Sequence, residues 1–329
     1  MCYCFTMKVY IGYQSAIEFW RINRALPGKN ARQQRSIKLP CKPPPAEQVR
    51  SAGLTCPVHI LLSDQNRRWA SGVMIQHLFT GEAPEGCFIS AKDILELSSP
   101  EFSFLQMSGR LSLVKLVELG YELCGTYSLP VSGDNNVPDR GFNNRLPLTN
   151  VRQLSEFVSC MTGVKGLNKT AAIRALRYII DGSASPMETK LAMLLTLPYK
   201  LGGFGFPKPK LNSRIIPSKT ERKSSNKSFY SCDYFWPDHN TAVEYDSAQF
   251  HTGSSHITDD SNKRIFLMSM GITPITVTTQ QLYDSYDFER VARVIAKCLG
   301  KRLAYKNPGF AAAHRKLREQ LRIESGWSQ

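Results

Sequence analysis

The feature that most constrains this chain is a short acidic hairpin near residue 240. It consists of two aromatic and β-branched runs, 232–236 and 241–246, joined by four turn residues, 237–240. If those four residues form the loop, Asp233 lies directly across from Glu244, with Cβ atoms about 4.5–5.5 Å apart. Like charges placed in this way are destabilising, so a fold that accepts them is expected to hold a cation between them.

Strand alternation sorts the side chains of this hairpin onto two faces. It places Asp246 on the same face as Asp233 and Glu244. The opposite, mostly apolar face is predicted to carry Tyr230, Cys232, Tyr234, Trp236, Thr241, Val243 and Tyr245. Three carboxylates on one side predict a site for Mg²⁺ or Mn²⁺, an ion that can generate a hydroxide nucleophile and stabilise the charge of a phosphate. The alternatives are a solvent-exposed acidic face or a one-residue shift in register, which would scatter the carboxylates.

The residues around the hairpin are typical of an α/β domain. Helices are predicted at 186–197, 258–270 and 280–299, and strands at 212–216, 228–236, 241–246 and 272–278. This α-β-β-β-α-β order predicts a mixed sheet flanked by helices.

The first half of the chain has a different pattern. A short helix at 15–24 and a basic linker precede strands at 58–62, 72–79, 87–90 and 94–97, followed by helices that open at Ser99 and near Ser112. We therefore divide the chain into a helix and linker at 1–55, an α+β recognition or interaction domain at 56–150, a helical connector at 151–180, the hairpin domain at 181–300 and a basic helical tail at 301–329.

Composition indicates the kind of partner. The net charge of +15 favours a polyanion, most often nucleic acid. No run of about eighteen apolar residues and no signal-peptide layout is present, so a cytoplasmic protein without a membrane partner is expected. The nine cysteines nowhere form C-x-x-C, which argues against a disulfide framework and a zinc site.

The acidic hairpin resembles a known signature. Residues 233–237, 243–246 and 250–251 are similar to the D-F…P…(V/I)-E-x-D-G…H pattern of the domain-of-unknown-function 559 family. That family resembles the very-short-patch-repair endonucleases of the PD-(D/E)XK nuclease superfamily. The resemblance covers about 181–300 and implies a restriction-endonuclease-like fold. It also implies that Asp233 is the aspartate of the PD element, Glu244 the acidic residue of (D/E)XK, and Glu188 the helix glutamate that often completes the metal site.

The sequence departs from the superfamily pattern at two positions. Asp246 stands where the superfamily has its lysine, and Ser247 replaces the usual glycine. The missing lysine normally orients the attacking water. The candidates to replace it are His251, as general base or phosphate contact, and Lys263 and Arg264 on the following helix.

Each supporting residue also has a simpler interpretation. Glu188 lies at the third position of a helix capped by Ser185, where a glutamate needs no further role. His251 lies in a Ser/Gly-rich loop, where a histidine is often only solvated. Lys263 and Arg264 could belong to a solvated helix surface.

Two basic segments are candidate contacts for a partner. The loop 219–227 contains Arg222 and Lys223, and it either follows a phosphate backbone or is only a flexible hairpin connection. The tail from Lys301 carries seven basic residues, which suit nucleic acid or a dimer partner: Lys301, Arg302, Lys306, Arg315, Lys316, Arg318 and Arg322.

Residues 56–123 resemble, more loosely, the middle domain of AbiEi-type antitoxin regulators. The sequence as a whole thus predicts a metal-dependent DNA endonuclease, a hydrolase of bacterial defence or DNA processing. Its catalytic residues would be Asp233 and Glu244, supported by Glu188, Asp246 and His251. The alternative is a non-catalytic DNA-binding regulator of the antitoxin type that retains a nuclease fold. The predicted partners are double- or single-stranded DNA and either a second copy of the chain or a toxin-antitoxin-type protein.

Overall fold

The computed structural model describes residues 7–23, 32, 35–63, 71–92, 94–131, 141–161, 167–216, 229–246, 254–303 and 309–323. They form two compact units, Met1–Ile179 and Ile180–Gln329. Each unit contains a mixed sheet flanked by helices, so the predicted α/β class is confirmed at this level. None of the helices in the described ranges is long and apolar enough to cross a membrane.

The first unit is built on a five-stranded sheet. Its strands, in chain order, are β1 (Val9–Ile11), β3 (Val58–Leu62), β4 (Met74–Leu78), β6 (Phe88–Lys92) and β7 (Leu95–Ser98). Their order across the sheet is β4-β3-β1-β7-β6. Two further pairs of short strands are β2 (Ile37–Lys38) with β5 (Glu82–Ala83) and β8 (Tyr127–Ser128) with β9 (Asn143–Asn144).

Strand β1 is the middle strand of this sheet. All three of its residues are buried, and it pairs parallel with β7 and antiparallel with β3. The predicted division at residue 55 therefore cuts through one sheet, because β1 and the helix α1 that follows it (Tyr13–Ile22) belong to the same unit as 58–98. A three-residue strand buried on both faces has no alternation by which the sequence could reveal it.

Two helices of the first unit begin where the sequence indicates. Ser99 and Ser112 both cap helices, since their hydroxyls accept the backbone N–H groups of Phe102 and Lys115. After α1 the helices are α2 (Ala46–Arg50), α3 (Pro100–Met107), α4 (Leu113–Cys124), α5 (Val151–Cys160) and α6 (Lys169–Leu176).

The second unit carries a four-stranded sheet in the order β10-β11-β12-β13. The first three strands are antiparallel, and β13 lies parallel to β12. The elements in chain order are α7 (Pro186–Thr196), β10 (Lys210–Ile215), β11 (Tyr230–Trp236), β12 (Thr241–Asp246), α8 (Ser254–Ser269), β13 (Thr273–Thr278), α9 (Thr279–Tyr283), α10 (Ser285–Cys298) and α11 (Phe310–Gln320).

Two predictions for the end of the chain are wrong in detail. The single helix expected at 280–299 is two helices, because the Asp284 side chain accepts the Asp287 N–H and starts α10. The predicted separate tail is part of the second unit, since Leu317, Leu321 and Ile323 are buried in it.

Helix α11 packs closely on a backbone turn at Gly202. This glycine has a left-handed φ of +88°, and a Cβ there would lie 2.3 Å from the carbonyl oxygen of Ala313 in α11. The ring of His314 donates from Nδ1 to the Gly202 carbonyl at 2.7 Å. Only a residue without a Cβ allows this approach of helix and turn.

Candidate active site

The register of the acidic hairpin is as predicted. Tyr234 pairs with Val243 and Trp236 pairs with Thr241, on either side of a loop of four residues, 237–240. The pairing ends at Tyr234, and Asp233 is close enough to Glu244 for its charge to raise the pKa of that carboxyl. The carboxylate of Asp233 accepts the backbone N–H of Tyr245 at 2.8 Å, so it is held against strand β12.

The predicted division of the hairpin into one acidic and one apolar face is wrong. Cys232 packs in one cluster with Phe235, Ala242 and residues of α8. Tyr234 turns the other way and donates its hydroxyl to a backbone carbonyl of α7 at 2.6 Å. The side-chain alternation therefore changes at Asp233, at the level where Asn212 of the neighbouring strand has a left-handed φ of +45°.

Glu188 is held both by the start of α7 and by a residue of the sheet. Ser185 caps α7 by accepting the Glu188 N–H at 3.1 Å. The Glu188 carboxylate accepts the N–H of Ala184 at 3.0 Å and the side-chain amide of Asn212 at 2.8 Å. Glu188 thus supports the start of α7, and its carboxylate is also held at the level of Asp233 on β11.

Asn212 is a site residue that the sequence analysis did not predict. Its amide donates to both Glu188 and the Gly182 carbonyl. The left-handed backbone at this position suits asparagine, which adopts positive φ more readily than other residues with a Cβ. Asparagine is also depleted in strands, so its presence in a predicted strand was the available signal.

Three carboxyl groups are electrostatically coupled at this site. Burial raises the pKa of Glu188 to about 7, with a further contribution from the charge of Asp233. Burial and Asp233 also raise the pKa of Glu244 to about 7, against the opposing effect of Lys263. Burial raises the pKa of Asp233 itself. Three buried acids so close together are unfavourable in their fully ionised form unless a cation is present.

Lys263 of α8 is such a cation. Its Nζ lies 2.7 Å from Glu244 Oε2, and the two side chains are only 24% and 19% exposed. Burial works to lower the pKa of Lys263, but Glu244 and Asp233 outweigh it and raise the pKa above its usual value. The sequence left open whether Lys263 lies at the site or on the solvated surface of α8. In the structure it lies at the site.

The other carboxylate oxygen of Glu244, Oε1, can still accept a hydrogen bond. Oε1 is buried and has no hydrogen-bond partner among the described residues. The Cys232 thiol, a weak donor, is close to the same carboxyl, and burial raises the pKa of this thiol. A buried carboxylate oxygen without a strong donor is suited to a proton or a metal ion.

The donors present fit Mg²⁺ or Mn²⁺ in an open site. No group of three or more His, Cys, Asp or Glu side chains in the described ranges is arranged to enclose a metal ion. Mg²⁺, however, is usually held by one or two carboxylates together with waters and substrate phosphates. Asp233 and Glu244 meet that requirement.

A cavity of about 400 Å³ opens beside Glu244 and Lys263. Asp246 and Arg264 also line it, as does Asp260 of α8, which the sequence analysis did not select. Asp246 thus lies beside Glu244 on the cavity wall. The carboxyls whose pKa is raised by burial and by the charge of Asp233 are Glu188 and Glu244.

Three candidate residues lie outside the described ranges: Arg222, Lys223 and His251. Comparison of the chain with protein-family models, with curated proteins and with solved structures finds no match. The function is therefore argued from the site itself.

The coupled carboxyls predict an unusual dependence of stability on pH. Glu188 and Glu244 have ordinary pKa values near 4.5 and folded values of about 7, so the folded protein binds more protons between these limits. The free energy of unfolding of the metal-free second unit should then fall as pH rises from about 4.5 to 7. A single such group contributes on the order of 3 kcal/mol.

Urea unfolding at pH 5 and pH 8 in the presence of a chelator measures this fall. Asp233→Asn should reduce it, because burial would remain but the substitution removes the charge that adds to its effect on both pKa values. A decrease of the same size in Asp233→Asn and wild type would contradict the coupling.

Proposed function

We propose that this protein is a metal-dependent DNA endonuclease whose second unit has a restriction-endonuclease-like fold. The observation that carries the proposal is the coupling of Asp233 to Glu188 and Glu244, with the Lys263 ammonium 2.7 Å from Glu244. Such a set of perturbed acids, of which Glu244 lines a cavity, is characteristic of sites that perform chemistry.

The order of elements supports the fold. Helix α7 brings Glu188 to the antiparallel part of the four-stranded sheet. The adjacent strands β11 and β12 carry Asp233 and Glu244, and α8 connects to the parallel strand β13. This is the order that the resemblance to the PD-(D/E)XK superfamily implies for its carboxylates.

Asp233 and Glu244 would hold Mg²⁺ or Mn²⁺, with Glu188 next to them and Asp246 on the cavity side. When bound, the ion would supply a hydroxide nucleophile and offset charge on the phosphate. Held by Asn212 and by the start of α7, Glu188 orients its carboxyl and can take up or release a proton near neutral pH.

Lys263 is our candidate for the lysine that Asp246 replaces. It remains charged because the carboxylates raise its pKa, and it lines the cavity into which a phosphodiester would enter. Its ammonium can orient the attacking water or contact a phosphate oxygen. Arg264 on the same cavity wall is proposed as a second phosphate contact, as are Arg222 and Lys223 of the basic loop.

Cleavage of plasmid and single-stranded DNA by the full chain in Mg²⁺ or Mn²⁺ tests the proposal. We expect Asp233→Asn to reduce the rate by roughly a thousandfold or more, because one of the two proposed ligands is lost. Asp238→Asn is the matched control, since Asp238 is exposed at the loop end of the same hairpin. Equal rates in the two variants would contradict the assignment.

A non-catalytic regulator is the second candidate. The Lys263–Glu244 ion pair favours it, because this pair neutralises part of the acidic site without an ion. In that case purified protein would bind DNA but not cut it, and millimolar Mn²⁺ would leave the melting temperature unchanged. We propose the first unit as the recognition module in both cases, acting on DNA, a second copy or a toxin-type partner.

A further inference from the structure

The Lys263 ammonium lies where a metal ion would have to approach Glu244. Its Nζ is 2.7 Å from Oε2 of that carboxylate. The second oxygen, Oε1, is buried and has almost no accessible surface. An ion that arrives from the solvent could therefore reach only Oε2, which Lys263 already holds.

Two cations cannot share this position at low cost. An ion bound to Oε2 at the usual Mg–O distance of about 2.0–2.1 Å would lie within about 5 Å of Lys263 Nζ. The side chains of Lys263 and Glu244 are only 24% and 19% exposed, so water screens the repulsion weakly. A divalent ion carries twice the charge of the ammonium and can bind Asp233 together with Glu244. We therefore expect the ion to displace Lys263 and not to bind beside it.

The cavity next to Glu244 gives the displaced side chain a place to go. Lys263 lines this cavity of about 400 Å³ together with Asp246 and Asp260. Asp260 precedes Lys263 by three residues on α8, a spacing at which helical side chains are neighbours. Because lysine has a flexible four-carbon stem, its ammonium can turn from Glu244 towards these carboxylates while α8 stays in place. The displaced ammonium thus keeps an acidic environment.

We infer that Lys263 closes the metal site in the metal-free protein and turns into this cavity when an ion binds to Asp233 and Glu244. The inference rests on the function proposed above, in that it takes these two carboxylates as the ligands, but it requires no cleavage of DNA. In its released position the ammonium lies in the cavity assigned to the phosphodiester. Binding of the ion therefore also delivers the cation that contacts the phosphate.

Calorimetric titration of the full chain with Mn²⁺ tests this competition. Lys263→Met should bind Mn²⁺ roughly tenfold or more tightly than wild type, because the ion no longer has to break the ion pair with Glu244. Arg264→Met is the matched control, since Arg264 is the next residue of α8 and places an equal charge on the same cavity wall. Its loss should change the affinity by about twofold or less, as expected for a screened charge. Equal affinity in wild type and Lys263→Met, or an equal gain in the two variants, would overturn the inference.

A crystal structure of the unmodified chain with Mn²⁺ tests the movement without any variant. We expect the ion on Asp233 and Glu244, and Nζ of Lys263 beyond hydrogen-bonding distance of Glu244, on the side of Asp246 and Asp260. An ion on both carboxylates with Nζ still in contact with Oε2 would overturn the inference. This measurement does not depend on whether Lys263→Met folds.

DNA cleavage by the wild-type protein, measured alongside, separates this inference from the proposed function. Tighter Mn²⁺ binding by Lys263→Met together with no cleavage by wild type supports the competition and contradicts the endonuclease. Cleavage by wild type together with equal Mn²⁺ affinities supports the endonuclease and overturns the competition. No Mn²⁺ binding to wild type or variant at millimolar concentration overturns both.

Discussion

Lys263→Met is expected to lower the free energy of unfolding of the second unit by about 2–3 kcal/mol at pH 8. The substitution leaves the Glu244 carboxylate in a site where it is only 19% exposed and next to Asp233. Loss of one partner of a buried ion pair typically costs 3–5 kcal/mol, and we expect less because both side chains keep some contact with water. Urea unfolding of the metal-free protein measures the difference.

A double variant separates the ion pair from packing. Glu244→Gln combined with Lys263→Met removes both charges and should recover most of the lost stability. Lys297→Met is the control for the loss of a lysine, because Lys297 is exposed on α10 and forms no ion pair with a described residue. A double variant that is as unstable as Lys263→Met would mean that the aliphatic part of Lys263 matters more than its charge.

Gly202→Ala should have an even larger effect, about 3 kcal/mol or more. The new Cβ would lie 2.3 Å from the carbonyl oxygen of Ala313, and its φ of +88° is unfavourable for alanine. Neither the backbone of α11 nor that of the turn can yield without moving the helix. Buried Leu317 and Leu321 would then lose contacts, and so would His314 with its Gly202 hydrogen bond.

Gly309→Ala is the matched control for this substitution. Gly309 also has a left-handed φ, of +92°, but a Cβ there meets nothing within 4 Å. Gly309→Ala should therefore lower the free energy of unfolding by only about 1 kcal/mol, the penalty for placing alanine at a left-handed φ. Chemical unfolding of both variants gives the two losses in free energy of unfolding, and their difference measures the effect of the close approach between α11 and the Gly202 turn. Equal losses would contradict that effect.

The sequence predicted the parts of the site that depend on local pattern. The register of the hairpin followed from a four-residue loop between two clear strands. It predicted that Asp233 lies near Glu244, and the charge of Asp233 does raise the pKa of Glu244. The N-caps of Ser99 and Ser112 were predictable for the same reason, since a cap depends on neighbouring residues.

Features that depend on distant residues were not predictable in this way. The change of face at Asp233 coincides with the left-handed backbone of Asn212 on another strand. The ion pair between Lys263 and Glu244 depends on how α8 packs on the sheet. The sequence alone could not decide whether Lys263 faces the site or the solvent. The break at Asp284 was missed because a side-chain cap prevailed over a continuous helical pattern.

The central position of β1 determines how this protein can be cut into fragments for experiments. A fragment that starts at residue 56 would lack the strand that joins β3 to β7, leaving two separate two-stranded ribbons. Such ribbons are marginally stable in water, so this fragment would be prone to aggregate. A cut before Ile180 interrupts neither sheet, so a fragment that starts there is the better starting point for isolating the second unit.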